Sequence, residues 1–516
     1  MLSHVPRVTY SNTGTDFSPV HDRLDQLIPG FEAGTLGRTW ATDFASGPSH
    51  PALSPIDGAL SLGRFPTSTE SDVTAAIAAA NAAHGEWSAR SLADRLDFAI
   101  RWERALGADK YSLALAALYE IGKSRLEAVG EAEECLDMVA YYRGEIELRH
   151  GYAQSMNELV RNETTRSVLR PYGVFGVISP FNFPLALSVN MICGALLTGN
   201  TVVYKPSQGC ALTGLMLAET LNAAGLPQGV FNIVLGGLEV GQAIVSSTAV
   251  DGIAFTGSYK TGMGIIRQLV TQEHAKPLIA DMGGKNPAYV SRTADIAVAA
   301  EGVARSAFGL QGQKCSACSV VYVDRAIKDE FVEAIKAFAT TLRVGDPRAR
   351  EQFMGPLYNE QTVARFTDAL DEARSNGKVH FGGNRIDGLP SNYFAPAIVE
   401  LEKESRLTKD ELFMPFLVIR AVDDLRSGIA EGNDVNYGLA AGVYSKDQAD
   451  IDYFLAHAEA GVLYANRASG ATTGAWPGSQ PFCGWKGSGV TGKGGLGPHY
   501  LPQFAREQSR TVMHKR

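Results

Sequence analysis

The chain has 516 residues, 45% of them hydrophobic and 20% charged, with a formal net charge of −8, a length too great for one ordinary compact domain and suited to two or three with substantial cores. Lysine and arginine are scattered rather than clustered, which leaves no electrostatic footprint for nucleic acid or an anionic membrane, and neither partner is expected. The opening Met1-Leu2-Ser3-His4-Val5-Pro6-Arg7 lacks an apolar signal core and no run approaches bilayer length, so a soluble, cytoplasmic protein is expected.

The first fifty or so residues, rich in Pro, Gly, Ser and Thr and poor in periodicity, read as an arm laid over the fold. Thr69-Glu70-Ser71-Asp72 leads into an apolar-periodic helix from Val73 to Trp87, and Ala93 to Ile146 continues as long amphipathic helices with Gly107 and Gly122 as breakers. From Arg166 the pattern changes. Strand-like runs at Val174 to Ile178, Thr201 to Tyr204, Phe231 to Val234 and Gly252 to Phe255 alternate with helical stretches at Leu212 to Ala224, Gly241 to Ser246 and Thr261 to Thr271, which predicts a parallel α/β sheet. A break near Ala280 separates this from a second α/β unit with a strand at Val320 to Val323, helices at Asp329 to Thr341 and Gln361 to Gly377, and a strand at Val462 to Ala465.

Three segments carry chemistry. Phe308-Gly309-Leu310-Gln311-Gly312-Gln313-Lys314-Cys315-Ser316-Ala317-Cys318-Ser319 sets a cysteine among small and amide residues. A thiol attacks only as thiolate, so its surroundings must assist ionisation, and Lys314 is adjacent. In Ile178-Ser179-Pro180-Phe181-Asn182-Phe183-Pro184 an apolar run breaks at proline and presents Asn182, an amide able to stabilise the oxyanion formed when a thiolate attacks an aldehyde. In Ala280-Asp281-Met282-Gly283-Gly284 the carboxylate of Asp281 is a candidate general base. Six cysteines are too few and too unevenly spaced for a disulfide scaffold, and the Cys315-x-x-Cys318 pair has no second pair at zinc-ligand spacing, so no metal is expected.

In this order and spacing the three segments resemble the aldehyde dehydrogenase superfamily from about Pro51 to the C-terminus, as do Lys205-Pro206-Ser207, Phe255-Thr256-Gly257-Ser258 and Glu411-Leu412-Phe413. The resemblance implies a nucleotide-binding domain (51–150 and 171–280), a catalytic domain (281–490), and a small β oligomerisation flap with the tail (151–170 and 491–516), all preceded by the arm (1–50). It implies Cys315 as nucleophile, Asn182 with the Cys315 N–H as oxyanion hole, and Asp281 as the base that activates water against a thioester. Most of the family carries Glu there, so the carboxylate has about 1.5 Å less reach. A homodimer or homotetramer is also implied.

The cofactor implied is NAD or NADP. Gly487-Ser488-Gly489-Val490-Thr491-Gly492 satisfies a dinucleotide fingerprint but has no βαβ unit around it, and its glycines read instead as tight turns. The better candidate is Gly257-Ser258, which follows a strand and opens a helix whose N–H groups can hold pyrophosphate. By the family's pattern Lys205 bonds the adenosine ribose and Glu411 the nicotinamide ribose, and Ser207, Phe413, Ile178, Ser179 and Phe181 are further cofactor-binding candidates. Gln208 stands where NAD-preferring members often place a carboxylate, which weakens the bar against NADP. Within the superfamily the chain is most similar to glutamate semialdehyde (1-pyrroline-5-carboxylate) dehydrogenases, in which Ser316, Gly474 and Ala475 would grip the substrate carboxylate. Phe482, with Trp476, would equally line a pocket for an aromatic or longer aldehyde, and Asp281 in place of Glu leaves a CoA-acylating reaction open.

Overall fold

The computed structural model describes residues 5–12, 14–468 and 475–514. The first helix, α1 (Ser18–Thr35), lies inside the stretch the sequence presents as an arm. It forms because Val20, Leu24 and Phe31 fall on one buried face, a periodicity obscured by Pro29 within the helix. After the hairpin β1 (Ser49–Leu53) and β2 (Ser61–Pro66) come α2 (Glu70–Ala89), α3 (Leu92–Ile121) and α4 (Arg125–Leu148). Thr69 and Ser91 start α2 and α3 with capping boxes. Gly122 ends α3 in a left-handed conformation (φ 76°). Gly107 does not break it: α3 runs through, and a Cβ there would stand 3.3 Å from Leu136 of α4, so the glycine serves the helix crossing.

A flap follows, β3 (Ala153–Ser155) and β4 (Glu163–Pro171), and then the first large sheet with its helices: β5 (Val174–Ile178), α5 (Ala186–Leu197), β6 (Thr201–Lys205), α6 (Ala211–Ala223), β7 (Phe231–Ile233), α7 (Leu238–Ser246), β8 (Gly252–Gly257), α8 (Tyr259–Leu269) and β9 (Leu278–Met282). Its strands are all parallel, in the order β7-β6-β5-β8-β9. The chain winds one way from β5 to β7 and then returns past β5, which makes the carboxyl ends of β5 and β8 a topological switch point.

The change of sheet falls at Gly283-Gly284-Lys285 rather than near Ala280, because β9 still pairs with β8 through Met282. Asp281 therefore belongs to the first sheet. The second sheet is built from β10 (Asn286–Val290), β11 (Cys318–Asp324), β12 (Gly377–Phe381), β13 (Ala397–Leu401), β14 (Phe416–Val422), β16 (Ala440–Tyr444) and β17 (Val462–Ala465), in the order β12-β13-β14-β11-β10-β16-β17. Between its strands run α9 (Ile296–Phe308), α10 (Lys328–Ala339), α11 (Glu360–Asn376), α12 (Arg406–Lys409), α13 (Leu425–Asn433) and α14 (Gln448–His457), with β15 (Tyr437–Gly438) pairing the later β18 (Trp485–Lys486). Finally β19 (Ala505–Met513) lies antiparallel along all of β4, so the flap is a three-stranded sheet. No helix among the described residues is long and apolar enough to cross a membrane.

Candidate active site

Cys315 sits on the loop from α9 to β11. That loop opens with Leu310 (φ 49°) and Gln311 (φ 56°) in left-handed backbone, a conformation costing a non-glycine residue of order 1–3 kcal/mol unless its surroundings impose it. They do. Gln311 Nε2 donates to the carbonyls of Gly122 (3.0 Å) and Pro356 (2.9 Å), and Gln313 Oε1 accepts the Tyr358 N–H at 3.2 Å. Asn286 Nδ2 donates to the carbonyls of Cys315 (2.7 Å) and Ala317 (3.0 Å). The amides around the cysteine thus shape its loop. Cys318 points into the core, 1% exposed, with its thiol against the Val320 carbonyl (3.4 Å).

Burial, then the carboxylates of Glu411 and Asp281, push the Cys315 thiol up to about 12, while the N–H groups of Ser316 and Cys315 act in the opposite sense. The expected help from Lys314 is not there: its ammonium is paired with Glu127 at 3.0 Å. The resting sulfur is therefore a thiol at neutral pH, and deprotonation must accompany attack.

Asn182 is 3% exposed and donates to the carbonyl of Gln313 at 2.9 Å, tying its loop to that of the cysteine. Pro180 and Pro184 interrupt the chain between β5 and α5, and the free N–H groups at the start of α5 are met by Glu131, whose Oε1 accepts from Leu185 (2.8 Å) and Ala186 (3.0 Å). Its other oxygen is 2.7 Å from Lys123, with both side chains fully buried, and the Lys123 ammonium lies 3.7 Å over the ring of Phe183. Removing one member of a buried pair strands the other charge, so Lys123→Met is expected to cost about 3–5 kcal/mol. Urea unfolding of Lys123→Met, with Lys123→Met/Glu131→Gln recovering part of the loss, checks this; an unchanged single-mutant midpoint would contradict it.

Asp281 pairs with Thr256 across β8 and β9, and burial alone pushes its carboxyl up to about 7. Its other flank is covered by the segment carrying the decoy glycine pattern: Gly489 bridges Asp281, the Met282 N–H donates to Ser488 O (2.8 Å), and Ser488 Oγ donates to Gly283 O (2.7 Å). Those residues extend the edge of β9 instead of making only tight turns, although Gly492 does take a turn conformation (φ 65°). Glu411 accepts the Gly284 N–H at 3.0 Å and burial raises it also to about 7. A Cβ on Gly283 would run into the Glu411 carboxylate, the packing reason for the glycine pair after Met282.

One cavity joins Cys315, Asp281, Ser316, Ala475 and Phe482. Gly474 lies outside the described residues. Two residues of the same cavity were not singled out by sequence. Glu134 of α4, which burial pushes up to about 8, accepts the hydroxyl of Tyr10 at 2.7 Å, and Tyr10 comes from the N-terminal segment. Nothing in their local sequence marks them; only the fold brings them to the cysteine.

The remaining candidates gather at the switch point. Ile178 pairs with both Lys205 and Phe255, so Ser179 and Phe181, then Ser207 and Gln208, then Gly257 and Ser258 leave the sheet at the same end. Ser258 caps α8 by accepting the Thr261 N–H. Lys205 is 7% exposed, its ammonium bonded to the Pro206 carbonyl (3.1 Å), and burial lowers it to about 8. Phe413, in left-handed backbone (φ 56°), meets Phe181 edge-on at 5.8 Å, and Phe181 stacks on Tyr358 at 4.2 Å. A buried lysine, a helix N-terminus and a strand-end crevice fit a dinucleotide. Sequence missed Glu239 at the start of α7: a Cβ on Gly237 would be 3.2 Å from both Glu239 Oε2 and Gln208 Oε1, so a carboxylate stands beside the glutamine after all.

A parallel sheet with a crevice that fits a dinucleotide, facing a half-buried thiol flanked by two carboxyls, has the layout of a nicotinamide-dependent oxidoreductase. Residues 43–509 match the aldehyde dehydrogenase family, and the chain belongs to that family. It is 34% identical over 448 residues to a 1-pyrroline-5-carboxylate dehydrogenase of Halalkalibacterium halodurans, covering 85% of each chain. Among solved structures it is similar to 1-pyrroline-5-carboxylate dehydrogenase from Thermus with bound NAD (TM-score 0.91, 28% identity, 99% of each chain). A second is an NADP-dependent glyceraldehyde-3-phosphate dehydrogenase of Bacillus halodurans complexed with NADP (TM-score 0.84, 29% identity, 91% of this chain and 96% of that one). It also matches a proline utilization A protein of Bdellovibrio bacteriovorus (TM-score 0.92, 29% identity), spanning 97% of this chain but only 53% of that longer one. The chain is an NAD(P)-dependent aldehyde dehydrogenase.

Proposed function

We propose that the enzyme oxidises glutamate semialdehyde to glutamate. The observation that carries this is the cavity's chemistry: the thiol shares it with the Ser316 hydroxyl and with Glu134, a buried carboxyl that accepts the Tyr10 hydroxyl and would also accept from an ammonium group on the substrate. The curated relatives are 1-pyrroline-5-carboxylate dehydrogenases, which supports the same substrate. Comparing kcat/KM for glutamate semialdehyde, its des-amino analogue and benzaldehyde tests the reading. A site built to pair a buried polar group rejects the analogue lacking its partner by about 10⁴; a preference for benzaldehyde would overturn the assignment.

In this reading the Cys315 proton is released to solvent as sulfur bonds the aldehyde carbon, and Asp281 stays ionised for the second half of the reaction. The resulting oxyanion is held by the Cys315 N–H and by Asn182, whose amide has a second hydrogen beyond the one given to Gln313. NAD or NADP, when bound by Lys205, Ser207, Gly257, Ser258 and Glu411, supplies the acceptor for the hydride that leaves that carbon. Asp281 then takes a proton from water, hydroxide adds to the thioester, the carbon–sulfur bond breaks to release the acid, and the departing Cys315 thiolate regains the proton from Asp281. Asp281 lines the thiol's own cavity, which favours hydrolysis over transfer to CoA.

Glu239, rather than Gln208, supplies the charge that opposes the extra phosphate of NADP. Glu239→Gln is expected to raise the NADP-to-NAD ratio of kcat/KM about tenfold, the equivalent of about 1.4 kcal/mol, and less at high salt; an unchanged ratio would remove Glu239 from cofactor choice. Association into a homodimer or homotetramer is favoured by the flap, which leaves Val512 and Met513 exposed (52% and 60%), and by β17, the open edge of the second sheet. All six cysteines are free, which suits the cytoplasm.

A further inference from the structure

The segment ahead of residue 43 lies outside the family match, yet it contributes a side chain to the catalytic cavity. We propose that this residue, Tyr10, is the partition that limits the length of aldehyde the enzyme accepts. The inference rests on the assignment of this cavity as the aldehyde site.

The catalytic cavity is small, about 80 Å³. Beyond it lies a second cavity of about 370 Å³, whose wall includes Arg125, Glu127, Arg305 and Arg350. Tyr10 and Lys314 are the two residues common to both walls. Lys314 is the immediate neighbour of Cys315 and is paired with Glu127 at 3.0 Å, so replacing it would disturb the catalytic loop. Tyr10 is the part of the divide that can be removed without disturbing that loop.

Its position is built rather than incidental. The hydroxyl donates to Glu134 at 2.7 Å. The ring meets Phe183 edge-on at 6.1 Å and Trp476 edge-on at 5.4 Å, geometries that favour aromatic pairs. The Lys314 ammonium stands 5.8 Å from its centroid. Three residues earlier, Arg7 bonds Glu133 (3.3 Å) and Asp137 (2.7 Å) on α4, and Trp476 Nε1 donates to that same Asp137 (2.7 Å). Segment, helix and tryptophan thus lock the ring across the passage. With the ring gone, the catalytic space opens into one several times larger.

The test compares Tyr10→Ala and Tyr10→Phe with the parent enzyme on unbranched aldehydes from propanal to octanal. Pocket edges discriminate by about 10–200-fold per methylene, so the octanal-to-propanal ratio of kcat/KM should rise about tenfold or more in Tyr10→Ala and stay at the parent value in Tyr10→Phe, which keeps the ring. A ratio within one enzyme is insensitive to general loss of active protein. Tyr10→Leu, which retains apolar packing, gives the same reading should the alanine variant fold poorly. A second measurement needs no turnover: alkylation of Cys315 by N-ethylmaleimide and by N-(1-pyrenyl)maleimide, followed by peptide mass spectrometry, should show the bulky reagent selectively accelerated in Tyr10→Ala. Parent-like ratios in both measurements would overturn the partition. Should the parent reject glutamate semialdehyde while Tyr10→Ala still widens the size range, the substrate assignment fails and the partition stands.

Discussion

Cys315→Ala is expected to abolish aldehyde oxidation, with kcat falling by about 10⁴-fold or more, as removal of a covalent nucleophile does elsewhere, while the affinity for NAD stays near the parent value. The separation is geometric. The thiol lies on the α9–β11 loop, whereas Lys205, Gly257 and Ser258 leave the other sheet, and no cofactor candidate hangs on the cysteine side chain. Because the loop is shaped by Gln311, Gln313 and Asn286 through backbone carbonyls and N–H groups, alanine keeps its conformation. Cys318→Ala should retain activity, since that sulfur is in the core. Steady-state rates with NAD titration by fluorescence decide both; appreciable oxidation by Cys315→Ala would remove the covalent mechanism.

Asp281→Asn should leave a first-turnover burst of reduced cofactor but lower steady turnover by about 10²–10⁴-fold, the usual contribution of a general base. The base acts only when ionised. With its carboxyl held up to about 7 by burial, deacylation should rise as pH climbs through about 7 and be lost below it, and the asparagine variant should lose that limb. Rapid mixing across pH 5.5 to 8.5 reads both features. Glu411 is the competing group, since burial lifts it to about 7 as well and it too faces the thiol. An Asp281→Asn enzyme with the parent rate and pH limb would assign water activation to Glu411. The same experiment on Asp281→Glu asks whether the shorter reach limits the parent: a faster slow phase says that it does.

The sequence exposed whatever depends on local pattern. Strands β5 and β6 begin and end within one residue of their apolar runs, because strands buried on both faces in a parallel sheet read as continuous hydrophobic segments. Thr69 announces α2 by capping, and Gly122 ends α3 by its left-handed conformation. The helix Ser18–Thr35 was not legible, since its proline and sparse apolar face hide a periodicity that matters only once α3 is beside it. Most of the second sheet was missed although β10, β14 and β16 are apolar runs of five to seven residues, because what makes them one sheet is parallel pairing between segments far apart in the chain.

Residue types and their order were enough to nominate Cys315, Asn182, Asp281 and Glu411, because nucleophile, amide donor and carboxyls are chemical identities that a sequence states outright. Their electrostatic state was not. The pairing of Lys314 with Glu127 in place of the thiol, the rise of two carboxyls toward neutrality, and the appearance of Glu239 beside Gln208 follow from desolvation and from distances between segments far apart in the chain. Tyr10 and Glu134 are the sharpest instance: separated by 124 positions, they meet at 2.7 Å. Local sequence fixes backbone preference and chemical identity, whereas burial and long-range proximity are properties of the packed chain, and those decide what each group can do.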